Sequence, residues 1–453
     1  MGRQFNVRSM HAILLSTPLA LGGGCLAPKV LGGVDTDAGT DGSGSSGSEA
    51  SDGHSSSPTG GDDSSSGGSV GAAPAVDILF VFDNSGSMGE EQGALASSID
   101  ALVEQLEQFT DISYRIGVTT TDNGNPWCNG TSPEAGDLRM SSCRERLGDF
   151  VFNGAEPSDA TAVACTDICT LEQIPLVPTV TEFDPSPRAR PWIERGVEGT
   201  NLDGVTLSDA LHCALPQGIA GCGFESPLES AYKAMLRMQS AGESSYGFLR
   251  TEAHLVVIFV TDETDCSAQD DTLFLPASMG GNPEGFWSDP TASAPSSAVC
   301  WNAGVACTGD GAPYEECHAA DYGHDAAVTT QPTEAMLRPT SRYIDYFLAL
   351  DEAKRAHNGT AVFLFGVMGV PVGYPANPLV YADAESPTYQ DDFGIGPGCS
   401  SEWGNAVPPV REREVIEALQ KPGMTTSMFS ICEPPLAGVY PNLVAQLAPF
   451  LGE

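Results

Sequence analysis

Val76-Asp77-Ile78-Leu79-Phe80-Val81-Phe82 runs without a break into Asp83-Asn84-Ser85-Gly86-Ser87-Met88. Seven residues with one polar interruption are long enough to cross the middle of a sheet. A nearly continuous apolar run suits a parallel strand covered on both faces. The carboxylate and the hydroxyls then emerge at the carboxyl end of that strand, the edge where open α/β sheets bind ligands. Alternation sets Asp83, Ser85 and Ser87 on one side of the turning loop. One anionic and two neutral oxygens are the hard ligands that Mg²⁺, Mn²⁺ or Ca²⁺ prefer. The competing reading is a chance Asp-x-Ser-x-Ser in a chain rich in serine.

Outward from that stretch, apolar Leu95, Ile99, Leu102, Val103, Leu106 and Phe109 recur at helical spacing, and Ile112 to Thr119 reads as the next strand. Further on come a helix at Pro227 to Met238, a strand Leu255-Val256-Val257-Ile258-Phe259-Val260 ending in Thr261-Asp262, and a helix at Ser341 to His357. A strand at Ala361 to Val367, a helix at Val410 to Gln420, a strand at Thr426 to Ile431 and a last helix from Asn442 to Phe450 complete the series. Strands alternating with helices predict an α/β domain with one doubly wound, mostly parallel sheet flanked by helices. The domain covers residues 75–453. Two Gly/Pro/Cys-rich stretches, about 122–222 and 267–338, read as disulfide-rich insertions.

The Asp83-x-Ser85-x-Ser87 loop behind its strand resembles the metal-ion-dependent adhesion site of von Willebrand factor A domains. In that family the two serines bind the ion directly and the aspartate acts mostly through water. The resemblance implies a second carboxylate at the end of a later strand, which places Asp262 as the distal metal residue. The alternative is that Asp262 and Asp265 only cap the next helix. The family's third element, a threonine in a Gly-rich loop, has no clean match. Gly221-Cys222-Gly223-Phe224-Glu225-Ser226 occupies the expected place with Glu225 nearest the threonine position, and Thr200 in Gly199-Thr200-Asn201 competes with it. A glutamate there adds negative charge to the ion and weakens its demand for an acidic ligand from a partner. The other reading of Glu225 is a charge in the first turn of a helix.

The order and spacing of elements look like a group of secreted bacterial A-domain lipoproteins with no settled activity. Phe248-Leu249-Arg250, Thr261 to Ser267, Phe365 to Pro371 and Ser430-Ile431-Cys432 carry this likeness. It implies a ligand-binding module rather than an enzyme, engaging a protein partner in adhesion or envelope scaffolding. A metal-dependent hydrolase, or a purely structural envelope protein, is the alternative.

Arg3 and Arg8 precede a modest apolar run, Ala12 to Leu21, which is too short to span a bilayer and fits a signal sequence. Its end, Leu21-Gly22-Gly23-Gly24-Cys25, resembles a bacterial lipoprotein signal. Cleavage would leave Cys25 for acylation, although the leucine stands one place further from the cysteine than usual. Residues 1–25 are thus expected to be the signal, with a lipid on Cys25 as the membrane link. Leu26 after the cysteine favours the outer membrane, with secretion as the alternative. Residues 26–74, dominated by Gly, Ser and Asp, can bury no core. They read as a tether of about 49 residues with a reach of about 40 Å.

Of thirteen cysteines, removing Cys25 leaves twelve, an even number compatible with up to six bridges in an oxidising compartment. Closeness in sequence favours Cys213 with Cys222, Cys165 with Cys169, and Cys128 with Cys143. A zinc site at Cys300, Cys307, Cys317 and His318 lacks any Cys-x-x-Cys pair. A bridge from Cys266, just beyond Asp262, would hold that strand's end rigid.

A net charge of -40 excludes nucleic acid as a partner, since such a surface repels phosphates and attracts divalent cations and basic partners. Catalytic motifs are lacking: there is no His-Glu-x-x-His and no phosphate-binding Gly-x-x-x-x-Gly-Lys. The one Gly-x-Ser-x-Gly, around Ser69, lies in the tether, and Ser230-x-x-Lys233 sits on a helix without partners.

Overall fold

The computed structural model describes residues 74–108, 111–154, 157–197 and 199–451. The signal, Cys25, the tether and Phe109 lie outside the described residues.

The opening strand β1, Ala75–Phe82, takes the centre of a seven-stranded sheet. On one side it pairs in parallel with β2, Ser113–Thr120, and on the other with the strand His254–Val260. Val362–Met368 and then Met428–Ser430 continue the parallel array outward. The run of β-branched and aromatic residues in β1 is buried on both faces because helices cover both. Alternation splits its side chains. Ile78, Phe80 and Phe82 pack in one layer with Leu95, Ile99, Leu102 and Leu443, while Leu79 and Val81 pack in the other with Leu228, Met235, Phe248 and Phe347.

The polar interruption, Asp77, faces the second layer and is fully buried. The Arg250 guanidinium meets it at 2.7 Å and the Arg250 amide at 2.8 Å, so the charge is paired rather than stranded. This explains why Phe248-Leu249-Arg250 stands beside the strand.

Most predicted elements appear close to where periodicity placed them. Helix Pro227–Met238 has the expected bounds, and Thr340–Asn358, Val410–Ala418 and Val439–Leu451 differ by a few residues at their ends. The apolar stripe behind the first loop belongs to two helices, α1 (Gly89–Ser98) and α2 (Asp100–Gln108), broken at Ile99. The last strand is shorter than expected, Met428–Ser430.

The stretch 122–222 takes part in the main sheet. Its strands Ile193–Gly196 and Gly199–Thr200 extend β2 in antiparallel fashion, covering an edge that β2 would otherwise present. Its helix Leu207–Ala214 buries Leu207, Leu211 and Ala214 in the same layer as α1 and α2. The stretch 267–338 builds a small core of its own around Leu273, Phe274, Phe286, Val299 and Met336.

Six disulfides join Cys128 to Cys222, Cys143 to Cys165, Cys169 to Cys213, Cys266 to Cys300, Cys307 to Cys317 and Cys399 to Cys432. The three pairings expected from closeness in sequence are therefore wrong. Cys165 and Cys169 sit one helical turn apart, with the Cys169 amide donating to the Cys165 carbonyl, and each turns to a partner on a different element. Loop-closure cost grows slowly with length, so proximity along the chain is a weak guide. With Cys300, Cys307 and Cys317 all bridged, no thiolate remains for zinc beside His318. Among the described residues no helix is long and apolar enough to cross a membrane, and the bridges fit an oxidising, extracytoplasmic compartment.

Glu412 is fully buried near the Arg411–Asp265 ion pair, whose atoms approach to 3.2 Å. Burial, reinforced by the charge of Asp265, pushes its carboxyl up to about 8. Between the ordinary glutamate value and pH 8 the folded state keeps a proton that the unfolded chain has released, so Glu412 lowers stability as pH rises through that window. Glu412→Gln is expected to leave stability near pH 4.5 almost unchanged and to raise it at pH 8.5 by about 1–3 kcal/mol, read from urea denaturation at the two pH values. Equal effects at both would sever the link to ionisation.

Candidate functional site

The register decides which residues meet. Phe82 lies opposite Thr120 on one side and Val260 on the other, so Thr121, Asp83 and Thr261 stand next in a row along the sheet's carboxyl edge. The ladder continues one step beyond the strands: the Asp83 amide donates to the Val260 carbonyl at 2.9 Å and the Thr121 amide to the Phe82 carbonyl at 3.0 Å.

Asp83 is fully buried and held on both oxygens. Oδ1 accepts the Ser85 amide at 2.7 Å, and Oδ2 accepts the Thr261 hydroxyl at 2.6 Å. The loop then turns so that the Ser85 and Ser87 hydroxyl oxygens lie 3.2 Å apart, and the Ser87 hydroxyl donates to Asp262 Oδ1, also at 3.2 Å. Adjacent ligands of one octahedral ion lie about 2.9 Å apart for Mg²⁺ and roughly 3.3–3.7 Å apart for Ca²⁺, taking usual bond lengths. The observed spacing falls between these values. Ser87 is exposed and Ser85 buried, so the loop forms the mouth of the site and Asp83 its floor.

Glu225 joins this group, and Thr200 does not. Thr200 is exposed on the outermost edge strand, three strands from β1. Glu225 is fully buried, its Oε2 accepting the Thr121 hydroxyl while its Oε1 has no hydrogen-bond partner. The charge of Asp83 acts on Glu225 through an interior without water, and a proton or a cation shared by the two relieves that repulsion.

Burial dominates the electrostatics of the cluster and raises the Asp83 carboxyl above its ordinary value. Burial and then the charge of Asp83 hold Glu225 well above the usual range, and burial with Asp83, Glu263 and Glu91 does the same to Asp262. Burial pushes Glu263 up to about 8 and Glu91 up to about 7. None of the ion pairs among the described residues reaches these carboxyls; the buried cations go elsewhere, Arg250 to Asp77, Arg411 to Asp265 and Lys421 to Asp351. Among the described residues no set of three or more His, Cys, Asp and Glu side chains forms a metal cage by itself. The donor set is a mixed one, in which hydroxyls from Ser85 and Ser87 stand between the carboxylates.

The scaffold around the loop is tight. Gln92, at the start of α1, donates to the Asp83 carbonyl at 2.7 Å and the Gly218 carbonyl at 2.8 Å and accepts the Gln217 amide at 2.7 Å, tying the loop to the stretch 122–222. A Cβ on Gly221 would lie 2.4 Å from the Asn84 side chain, so only glycine permits this approach. The Phe152 ring sits against Gly86. Cys266, bridged to Cys300, donates its amide to the Glu225 carbonyl at 2.6 Å, and its carbonyl accepts the Ser226 hydroxyl at 3.1 Å, so the bridge fixes the Glu225 segment beside the Asp262 loop.

Thr121, Thr261, Gln92, Glu91 and Glu263 were not singled out from sequence. Thr121 and Thr261 each succeed a strand that pairs with β1, and only the pairing register reveals that shared position. Compared with known proteins, the chain matches no family model and no curated sequence.

Proposed function

We propose that the chain is an extracytoplasmic module of the von Willebrand factor A type in which Asp83, Ser85, Ser87, Glu225 and Asp262 hold one divalent cation. Its cation-bearing face engages a protein partner in adhesion or envelope scaffolding and performs no reaction. The observation that carries this reading is the gathering of buried Asp83, Glu225 and Asp262 about the Ser85 and Ser87 hydroxyls, 3.2 Å apart, with the Ser87 hydroxyl on Asp262 at 3.2 Å, a buried Glu225 Oε1 without a hydrogen-bond partner and, among the described residues, no ion pair to any of the three. A divalent cation removes the cost of burying these charges. Bound there, the ion supplies positive charge to the carboxylates and an open position for a donor atom at the Ser87 mouth.

With Glu225 in the set, an ion there would meet more negative charge than Asp83 and Asp262 alone supply. Its attraction for a further carboxylate from a partner is weak, which favours permanent occupancy and a neutral or basic contact from the partner. A lipid on Cys25 and the tether of residues 26–74 would present the domain at the membrane surface.

The test is capture of envelope proteins by the full chain and by Ser85→Ala, each in Mg²⁺ and in chelator. The proposal expects a partner retained by the wild type in Mg²⁺ alone and lost from Ser85→Ala. A partner retained equally under all four conditions would reduce the ion to a structural role, and phosphoester or peptide turnover abolished by Ser85→Ala would make the protein a hydrolase.

A further inference from the structure

Beside the carboxylate cluster, with the Glu225 neighbours Phe224 and Ser226 in its wall, a cavity of about 250 Å³ opens between helix Pro227–Met238 and the segment beyond Cys266. Its walls include Asn123, Phe224, Lys233, Ser267, Gln269 and Arg338. The volume equals about eight waters, enough for a small polar molecule and short of the usual drug-sized pocket.

The cations in it are poorly matched. The Lys233 ammonium donates to Asn123 Oδ1 at 2.7 Å. Arg338 uses its backbone structurally, its amide donating to the Ser267 carbonyl at 2.8 Å and its carbonyl accepting from Arg411 at 2.6 Å. Its buried Nε lies 3.4 Å from Glu229 Oε1, an ion pair without hydrogen-bond geometry. Arg342 approaches the same oxygen at 3.5 Å while stacking on Tyr232. Glu229, nearly buried, also accepts the Tyr343 hydroxyl at 3.0 Å. One carboxylate thus faces Lys233, Arg338 and Arg342, and the only other acid lining the cavity among the described residues, Asp271, is exposed at its rim. Arg237, further along the helix, is taken up by Glu243 at 2.7 Å and Asp137 at 3.3 Å. Burial and then the charges of Arg338, Arg237 and Arg342 lower the Lys233 ammonium's hold on its proton, against the opposing pull of Glu229. Two of the 20 Lys and Arg residues of a chain with net charge -40, Lys233 and Arg338, line this cavity, and Arg342 stands at the same carboxylate. Three basic groups that share one buried carboxylate have a use in holding an anion.

We propose that this cavity binds a small oxyanion-bearing ligand, a phosphate, sulfate or carboxylate, with Lys233 supplying a point charge and Arg338 its planar donor fork. The Phe224 and Phe274 rings, 4.9 Å apart, give the ligand's remaining atoms an apolar surface.

The test uses the full, oxidised chain in chelator, so that no metal at the carboxylate cluster recruits the anion. Inorganic phosphate, sulfate and citrate are titrated calorimetrically at matched ionic strength. Saturable binding of at least one, with a dissociation constant in the millimolar range or tighter, is expected, and the preferred anion separates phosphate chemistry from carboxylate chemistry. Lys233→Met and Arg338→Leu should each weaken it at least tenfold. Arg338→Lys, which keeps the charge and loses the fork, should fall between wild type and Arg338→Leu, and it carries the comparison should Arg338→Leu fail to fold. Arg355→Leu, at an exposed arginine that caps the buried Asp351, should change nothing. Absence of saturable binding by all three anions, or binding that the Lys233 and Arg338 variants leave intact, overturns the proposal.

Discussion

Asp83→Ala is expected to abolish saturable binding of Mg²⁺, Mn²⁺ and Ca²⁺ in a calorimetric titration that shows one site in the wild type. The reason lies in what Asp83 organises. Its Oδ1 holds the Ser85 amide at 2.7 Å and its Oδ2 the Thr261 hydroxyl at 2.6 Å, so the carboxylate sets the loop that brings Ser85 and Ser87 together. It is also the partner that makes the Glu225 oxygen costly to bury. Removing it takes away a charge and the frame for two hydroxyl ligands at once. In the wild type, a cation at 100 times its dissociation constant stabilises the fold by about 2.7 kcal/mol. For a unit of this size that corresponds to a rise of about 3 °C in melting temperature. The variant should melt at the same temperature with and without the ion. Its melting temperature in chelator should not fall far below that of the wild type, because the cluster loses one member of an unfavourable carboxylate contact. Binding that persists in the variant with unchanged affinity would show that Asp83 is outside the coordination sphere and its neighbours.

The second large effect concerns the covalent frame. Replacing Cys128 and Cys222 together by serine should destabilise the fold by about 4–5 kcal/mol, the chain-entropy value for a loop of this length, since the two cysteines are 94 residues apart. The same change should also weaken cation binding. Cys222 comes directly after Gly221, whose backbone lies against Asn84 in the loop that follows β1, and precedes Glu225 by three residues. The bridge thus anchors the segment that delivers Glu225. Cys307 and Cys317, only 10 residues apart on a hairpin outside the main sheet, make the control. Their double replacement should cost about 3 kcal/mol and leave the cation affinity as it was. Urea denaturation and calorimetry on both variants separate the two roles: equal losses of affinity would mean that general destabilisation, and no local anchoring, explains the effect.

Particular residues show how much was legible in the chain alone. The β1 run and the helical stripe of Pro227–Met238 were readable because burial on both faces of a strand, or along one face of a helix, leaves a periodic mark in the chain itself. The break at Ile99 left no such mark, since its side chain is apolar and fits the stripe of α1 and α2 alike. Asp83, Ser85, Ser87 and Asp262 were legible as polar endings of apolar strands. Glu225 was readable only as one of two contenders, and Thr121 only after the β1–β2 register was known.

Alternation of strands and helices, the twelve cysteines that follow the tether and the carboxylate and hydroxyls closing β1 were determined by the sequence alone, because each depends on neighbours within a few residues or on a simple count. The tertiary structure decided what depends on contacts between distant segments. It set Glu225 against Asp83 and removed Thr200 to an exposed edge. It gave Cys128, Cys165 and Cys213 partners other than those that closeness in sequence suggests, and it extended the sheet with two antiparallel strands from residues 193–200. Loop closure is only weakly dependent on length, so which remote segments meet is settled by the packing of buried surfaces, and local sequence carries no record of it.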